Sequence, residues 1–260
     1  AVLRDLYFNK GRTMVTFIAL FLVIALPIAM FSAPVSLENS IHRSEDQYQL
    51  SHLDLSFSAI PESMTEQIET EIYNSVGNYP TAIEARLKLT EKIIINDRFK
   101  SVSTIGLKNK SESDSEINKL KLTSGNLNVN NESVILLKSF AEHLGLDLGE
   151  KIDFYHSNKT YQLEIIGLVE SVEFLSYELI QTGVIYLDHE FLQEIIGFPE
   201  NIYNNFLIYF ENGISDTELR ELTNDLRTYL IDAGYPAFLI WHTRTLSYSA
   251  KLSEALNLTS

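Results

Sequence analysis

From Thr13 to Leu37 the chain runs 25 residues without an Asp, Glu, Lys, Arg or His. A bilayer core about 30 Å thick is crossed by ~20 apolar residues of helix. The run therefore predicts a membrane span, set at 13–34, with length to spare for tilt. A secretory signal core is shorter, ~7–15 residues, and ends in small residues. Here Met30, Phe31 and Pro34 crowd the end of the run. Pro27 inside it fits a membrane helix whose neighbours satisfy the freed carbonyl. Lys and Arg near a span are held on the cytoplasmic side. Arg4, Lys10 and Arg12 precede the span, whereas only Arg43 follows closely. These three are the expected membrane-interface anchors. They place residues 1–12 in the cytoplasm and everything beyond the span outside it. Leu37, Ile41 and Tyr48 continue at helical spacing and predict a stalk helix over 35–50.

Beyond the stalk the periodicity changes. In 53–59, Leu53, Leu55, Phe57 and Ala59 alternate with Asp54, Ser56 and Ser58, the period of a half-buried strand. Ser63-Met64-Thr65-Glu66 matches a capping box that opens a helix. Met64, Ile68, Ile72 and Val76 form its apolar stripe, and Gly77 and Pro80 end it. Residues 83–90 alternate again, so 51–95 reads strand, helix, strand. The same order returns over 204–242. Residues 204–211 read as a strand, and Ser215–Glu218 as a second capping box. Leu219, Leu222, Leu226 and Leu230 line a helix stopped at Gly234, and 237–241 read as a last strand. Two β-α-β units predict an α+β fold, a ferredoxin-like split sandwich with helices on one face of an antiparallel sheet. Residues 96–203 are inserted between the halves. There the pattern predicts a strand at 134–137 and a helix from Ser139 closed by Gly145. A turn at Gly149 leads into strand 151–155, with a return strand over 160–172. A further strand at 184–187 leads into a short helix capped by Asp188, completing a small β-rich subdomain. Residues 243–260 carry Leu246, Leu252 and Leu256 and predict a second stalk heading back to the membrane.

Charge narrows the function. The net charge is −15; setting aside Arg4, Asp5, Lys10 and Arg12 leaves 17 basic against 34 acidic side chains outside. Such a surface repels phosphate and argues against nucleic-acid binding. With no cysteine there is neither a disulfide framework nor a thiolate metal site.

Catalytic motifs are missing from the sequence. There is no phosphate loop of the G-x-x-x-x-G-K-[ST] type, no G-x-S-x-G and no H-E-x-x-H. The histidines at 42, 52, 143, 156, 189 and 242 lack ligand spacing and read as ordinary positions. Glu112, Asp114 and Glu116 lack the glycine and closing glutamate of a calcium loop and read as a solvated loop. Sequons at Asn109, Asn131, Asn158 and Asn257 are expected by chance in so Asn- and Ser-rich a chain. The residues therefore name no enzyme activity, no cofactor and no metal site.

The order of segments nevertheless resembles a known family. "LRDLYFNKGRTMVTFIALFLVIAL", "VILLKSFAEHLGLDLGEKIDF…LEIIGLVESV" and "VIYLDHEFLQEIIG" are similar to the first membrane helix and extracytoplasmic core domain of MacB/FtsX-type ABC transporter permeases. Glu150 stands where relatives often have Asp. The resemblance implies a permease subunit that works as a homo- or heterodimer with a cytosolic ABC ATPase. It implies movement of the outer domain driven from the cytosol, serving export, lipoprotein release or hydrolase regulation. It also implies three further spans downstream. The alternative is a single-span, membrane-anchored binding or sensor domain.

Overall fold

The computed structural model describes residues 47–76, 81–95, 98–108, 117–171, 173–174, 177, 181–198, 200–210, 214–235 and 239–242. The expected span, its anchors Arg4, Lys10 and Arg12, most of the first stalk, the acidic loop and the second stalk lie outside these residues. No helix among the described residues is long and apolar enough to cross a membrane.

The chain folds as α+β with two sheets. In the smaller, β1 (Leu53–Pro61), β2 (Thr81–Arg86), β10 (Ile202–Phe210) and β11 (Leu239–His242) lie in the order β11-β1-β10-β2, every pair antiparallel. Helices α1 (Glu62–Val76) and α4 (Asp216–Asp232) connect β1 to β2 and β10 to β11. The third strand sits between the first two, which is the split β-α-β order expected from the sequence. Ile68, Ile72 and Val76 of α1 join Leu219, Leu222, Leu226 and Leu230 of α4 in one core with Leu53, Leu55, Phe57 and Phe206. Each such side chain contributes roughly 1.5–3 kcal/mol on burial. In β1 the register shifts between Ser56 and Ile60. That bulge turns Ala59 outward and Ile60 inward, ending the alternation read over 53–59.

The capping box at Ser215 is present: Ser215 accepts from the Glu218 amide, and Glu218 reaches back to the Ser215 amide. The box read at Ser63 is not the start of α1. The helix begins at Glu62, straight from β1, and Thr65 bonds back to the Glu62 carbonyl at 2.6 Å.

A second sheet takes β3 (Lys88–Ile95), just ahead of the expected insert, with β4 (Arg98–Leu107), β5 (Lys121–Gly125), β6 (Ser133–Leu137), β7 (Lys151–His156), β8 (Lys159–Glu170) and β9 (Gly183–Asp188), in the order β5-β8-β6-β9-β4-β3-β7, with β7 also pairing with β8. Six strands therefore close on themselves as a barrel, and β5 (Lys121–Gly125) adds to the outside of β8 (Lys159–Glu170). β6 (Ser133–Leu137) and β9 (Gly183–Asp188) are buried along their whole length. Their unbroken apolar runs fit strands covered on both faces. The barrel core joins them with Ile93 of β3 (Lys88–Ile95), Val102 and Ile105 of β4 (Arg98–Leu107), and Phe154 of β7 (Lys151–His156). Helix α2 (Lys138–Leu144) closes at Gly145 in the left-handed conformation, as its glycine predicted. Asp188 caps α3 (His189–Ile196) by accepting from the Phe191 amide at 2.9 Å.

One strand reading changes. The alternation over 83–90 is two strands, β2 in the small sheet and β3 in the barrel, meeting at the fully buried Leu87. Alternation continues across such a crossing because the side chains keep their two-fold period while the strand exchanges partners.

Candidate functional site

The chain passes between the sheets at 86–88 and again at 196–202. A strand that changes sheets leaves backbone groups without ladder partners, and buried ones must find others. Side-chain amides supply them. Asn204 accepts from the Lys88 amide and donates to the Lys88 carbonyl, both at 2.8 Å. Gln193, on α3, donates to the Ile202 carbonyl at 2.5 Å and accepts from the Ile202 amide at 3.0 Å. The Gly106 amide takes the Leu87 carbonyl at 2.9 Å.

Beside these amides lies a buried charge network. Arg86 is 7% exposed and grips Glu173 with two parallel bonds of 2.6 and 2.5 Å. Its Nε donates to Asn205 Oδ1 at 2.5 Å. Asn205 in turn donates to Asp54 and to the Leu55 carbonyl. Lys88 Nζ donates to Glu173 at 3.1 Å and stands 3.6 Å from Asp54. Asn118 Nδ2 donates to Glu173 at 3.1 Å, and its Oδ1 accepts from the Ser51 amide at 2.7 Å. The amides of Asn118 and Lys119 also bond the carbonyls of Gln49 and Tyr48 at 2.9 Å each. Glu173 thus ties together β2, the head of β3, residues 117–119 and the segment leading into β1. Burial pushes the Glu173 carboxyl up, but Arg86 and then Lys88 outweigh it and hold it down to about 2. Burial acts against the Arg86 charge as well, and Glu173 outweighs it, so the guanidinium stays protonated. Planar, bidentate pairing of this kind is what makes a buried Arg–carboxylate contact tenable.

The network forms one wall of a cleft of about 270 Å³ lined from both sheets. Its other wall carries Tyr203, His189, Glu62, Glu69 and Lys108. Tyr203 donates to Glu62 at 3.1 Å and stacks on His189 with centroids 5.1 Å apart. Gln193 has its orientation fixed by Ile202, so the contact from its Nε2 to His189 Nε2, 3.1 Å, makes that ring nitrogen the acceptor. The proton then sits on Nδ1. Burial, and then the Lys108 charge, push the His189 pKa down to about 4, so the ring is neutral at pH 7. Gly106 is required here because a Cβ would meet His189 Nδ1 at 2.9 Å.

None of these cleft residues follows from a sequence motif. Asp54, Arg86 and Lys88 read as polar faces of strands, and His189 as an ordinary histidine. The available signals were an Asp inside an apolar strand and the Asn204-Asn205 doublet at the head of another. The expected anchors Arg4, Lys10 and Arg12 are not brought into this site, since they lie outside the described residues. Among the described residues no cluster of His, Asp or Glu is arranged to hold a metal ion. The arrangement pairs charges and offers a cleft.

No family model matches the chain, and no curated protein matches it. Solved structures do. The periplasmic region of MacB from Actinobacillus actinomycetemcomitans is similar, at 15% identity and a TM-score of 0.43, over 75% of this chain and 90% of that one. The extracellular domain of the ABC-type transporter YknZ from Gram-positive bacteria is similar at 16% identity and a TM-score of 0.40, over 72% of this chain and all of that one.

Proposed function

We propose that the chain supplies the first membrane helix and the extracytoplasmic domain of a MacB/FtsX-type ABC permease subunit. In this reading a cytosolic ATPase drives movements of the outer domain. The observation that carries the reading is the pairing of β1 with β11, which sets Leu53 opposite His242. Antiparallel partners lie about 4.5–5.5 Å apart. The chain therefore enters and leaves the domain side by side, as an outer domain inserted between two membrane helices must. The charge-free run over 13–37 supplies the first of those helices, and the leucines of 246–256 suit a return to the bilayer.

ATP hydrolysis can shift such a domain only if two arrangements differ in their contacts. The hooks from Asn118 and Lys119 to residues 48–51 join the barrel segment to the chain leading out of the span. They are suited to carry a pull on the first stalk into both sheets. The permease would act as a homo- or heterodimer, in export, lipoprotein release or hydrolase regulation. The test is purification of the full-length gene product from its membrane. Recovery of a cytosolic ABC ATPase is expected. Replacing that ATPase's catalytic glutamate should then change disulfide crosslinking between Ser44→Cys subunits. Recovery of no ATPase would leave the tethered binding domain instead.

A further inference from the structure

We propose that residues 48–51 and 117–119 form a latch held closed under backbone strain, which opens while both sheets stay folded. The amides of Asn118 and Lys119 bond the carbonyls of Gln49 and Tyr48 at 2.9 Å each. The Ser51 amide donates to Asn118 Oδ1 at 2.7 Å, and Asn118 Nδ2 donates to Ser51 Oγ at 3.3 Å. Gln49 and Asn118, joined by the first of these bonds, both stand at φ 51, in the left-handed region. Asn enters that region readily, because its short amide bonds the nearby backbone. Gln49 has no such relief, and residues of its kind are uncommon there. It follows the helical Gln47 by two positions, a place where chains normally put glycine. Ser157 and Asn158 are left-handed as well, but they form the turn between β7 and β8, where a tight hairpin demands it. The Gln49 side chain adds a second cost: its Oε1 is buried and finds no partner among the described residues. Strain of this kind persists only where the surrounding contacts enforce it.

Opening has a defined edge. Ser51 is held by Asn118, whereas the next residue is held by the small sheet. The His52 amide donates to the Ile208 carbonyl at 2.8 Å, and His52 Nδ1 accepts from the Phe210 amide at 3.0 Å. Beyond that edge β1 is fixed by its ladder with β10. The charge network survives opening too. Asn118 leaves Glu173, but Arg86 and Lys88 stay bonded to it. Opening exposes Leu50 and Ser51. It releases the left-handed turn at Gln49 and the unmatched oxygen beside it. A segment tied by few bonds and little apolar burial opens locally, at less cost than global unfolding. The closed and open latch are two arrangements with different contacts, which a domain driven by an ATPase requires. That use rests on the permease reading; the latch itself does not.

The chain has no native cysteine, so a thiol reagent can time the opening in the full chain in detergent. Ser51→Cys and, as a control in the barrel, Thr104→Cys each place a thiol at a fully buried position. Ser51→Cys is expected to react about tenfold faster or more, at a rate that low urea barely changes, as local opening requires. Gln49→Gly should slow that reaction about three- to tenfold, the left-handed penalty less the freedom that glycine adds to the open state. Gln49→Val should speed it, since a β-branched residue is poorly accommodated at positive φ. Hydrogen exchange of the unmutated chain, read residue by residue, checks the edge with no substitution in the latch. The amides of Ser51, Asn118 and Lys119 should exchange well ahead of that of His52. Equal reaction of the two cysteines would overturn the latch. So would a Gln49→Gly variant in which Ser51→Cys reacts as fast as before, or a Ser51 amide as slow as that of His52. In membranes that hold the ATPase, ATP should change the Ser51→Cys rate. An unchanged rate there, beside fast reaction in the chain alone, would overturn the coupling and leave the latch standing.

Discussion

Glu173→Gln isolates the charge network, because it keeps the shape of the side chain and removes only the charge. Glu173 is 6% exposed by side chain and sits against Arg86, Lys88 and Asn118. The substitution leaves Arg86 buried with Asp54 as its nearest carboxylate, at 3.9 Å. Breaking one side of a buried pair costs roughly 3–5 kcal/mol, because the surviving charge is left uncompensated. A second route to the magnitude is the proton affinity. Folding lowers the carboxyl from 4.5 to about 2, and each tenfold change is worth about 1.4 kcal/mol, which gives roughly 3 kcal/mol. The sign follows from the depressed value. The stabilisation is complete above pH 4.5 and is lost as pH falls from 4.5 towards 2. Urea unfolding followed by Trp241, the single tryptophan of the chain, would measure both effects. The expected result is a loss of about 3–5 kcal/mol at pH 7 for Glu173→Gln, shrinking towards zero near pH 2 as wild type loses the same contribution. A difference below about 1 kcal/mol at pH 7, the worth of an ordinary surface pair, would refute the reasoning.

Leu226→Asp puts an unpaired charge where the side chain is fully buried between α4 and the small sheet. It should cost several kcal/mol in the same urea assay, or prevent folding. Gly183→Ala drives a Cβ to 2.4 Å from the Phe140 ring. An overpacking loss of about 1–3 kcal/mol is expected, and Phe140→Leu should restore part of it. Gln193→Leu removes both bonds to the Ile202 backbone, leaving a buried amide and carbonyl unmatched. It should cost about 2–4 kcal/mol, against less than 0.5 kcal/mol for the exposed Glu194→Gln. Topology is checked in a chain without native cysteine. A cysteine at Lys110 should react with an impermeant thiol reagent in intact cells and one at Lys10 should not; equal labelling would reverse the orientation.

Local periodicity was enough for the elements that bury one face. Ile68, Ile72 and Val76 and the four leucines of α4 each lie in the element their spacing predicted, and the runs at 134–137 and 184–187, buried on both faces, were legible instead as short unbroken apolar stretches. The reason is that burial on one side imposes a period that a linear reading detects. The split β-α-β order was legible for the same reason, since two copies of one pattern flank the insert. Pairing between distant strands leaves no such trace. Nothing local says that 83–90 changes sheets at Leu87, that β4 lies parallel to β9, or that β7 returns to β8 and closes a barrel. The cleft is the extreme case. Arg86, Lys88 and Glu173 carry the same charges as any surface strand, and only the crossing of two sheets buries them together. A charged side chain reads as solvent-facing until its partner, 87 residues further along the chain for Arg86 and Glu173, is placed beside it. That placement is set by tertiary packing, and with it the ionised buried pair and the neutral His189.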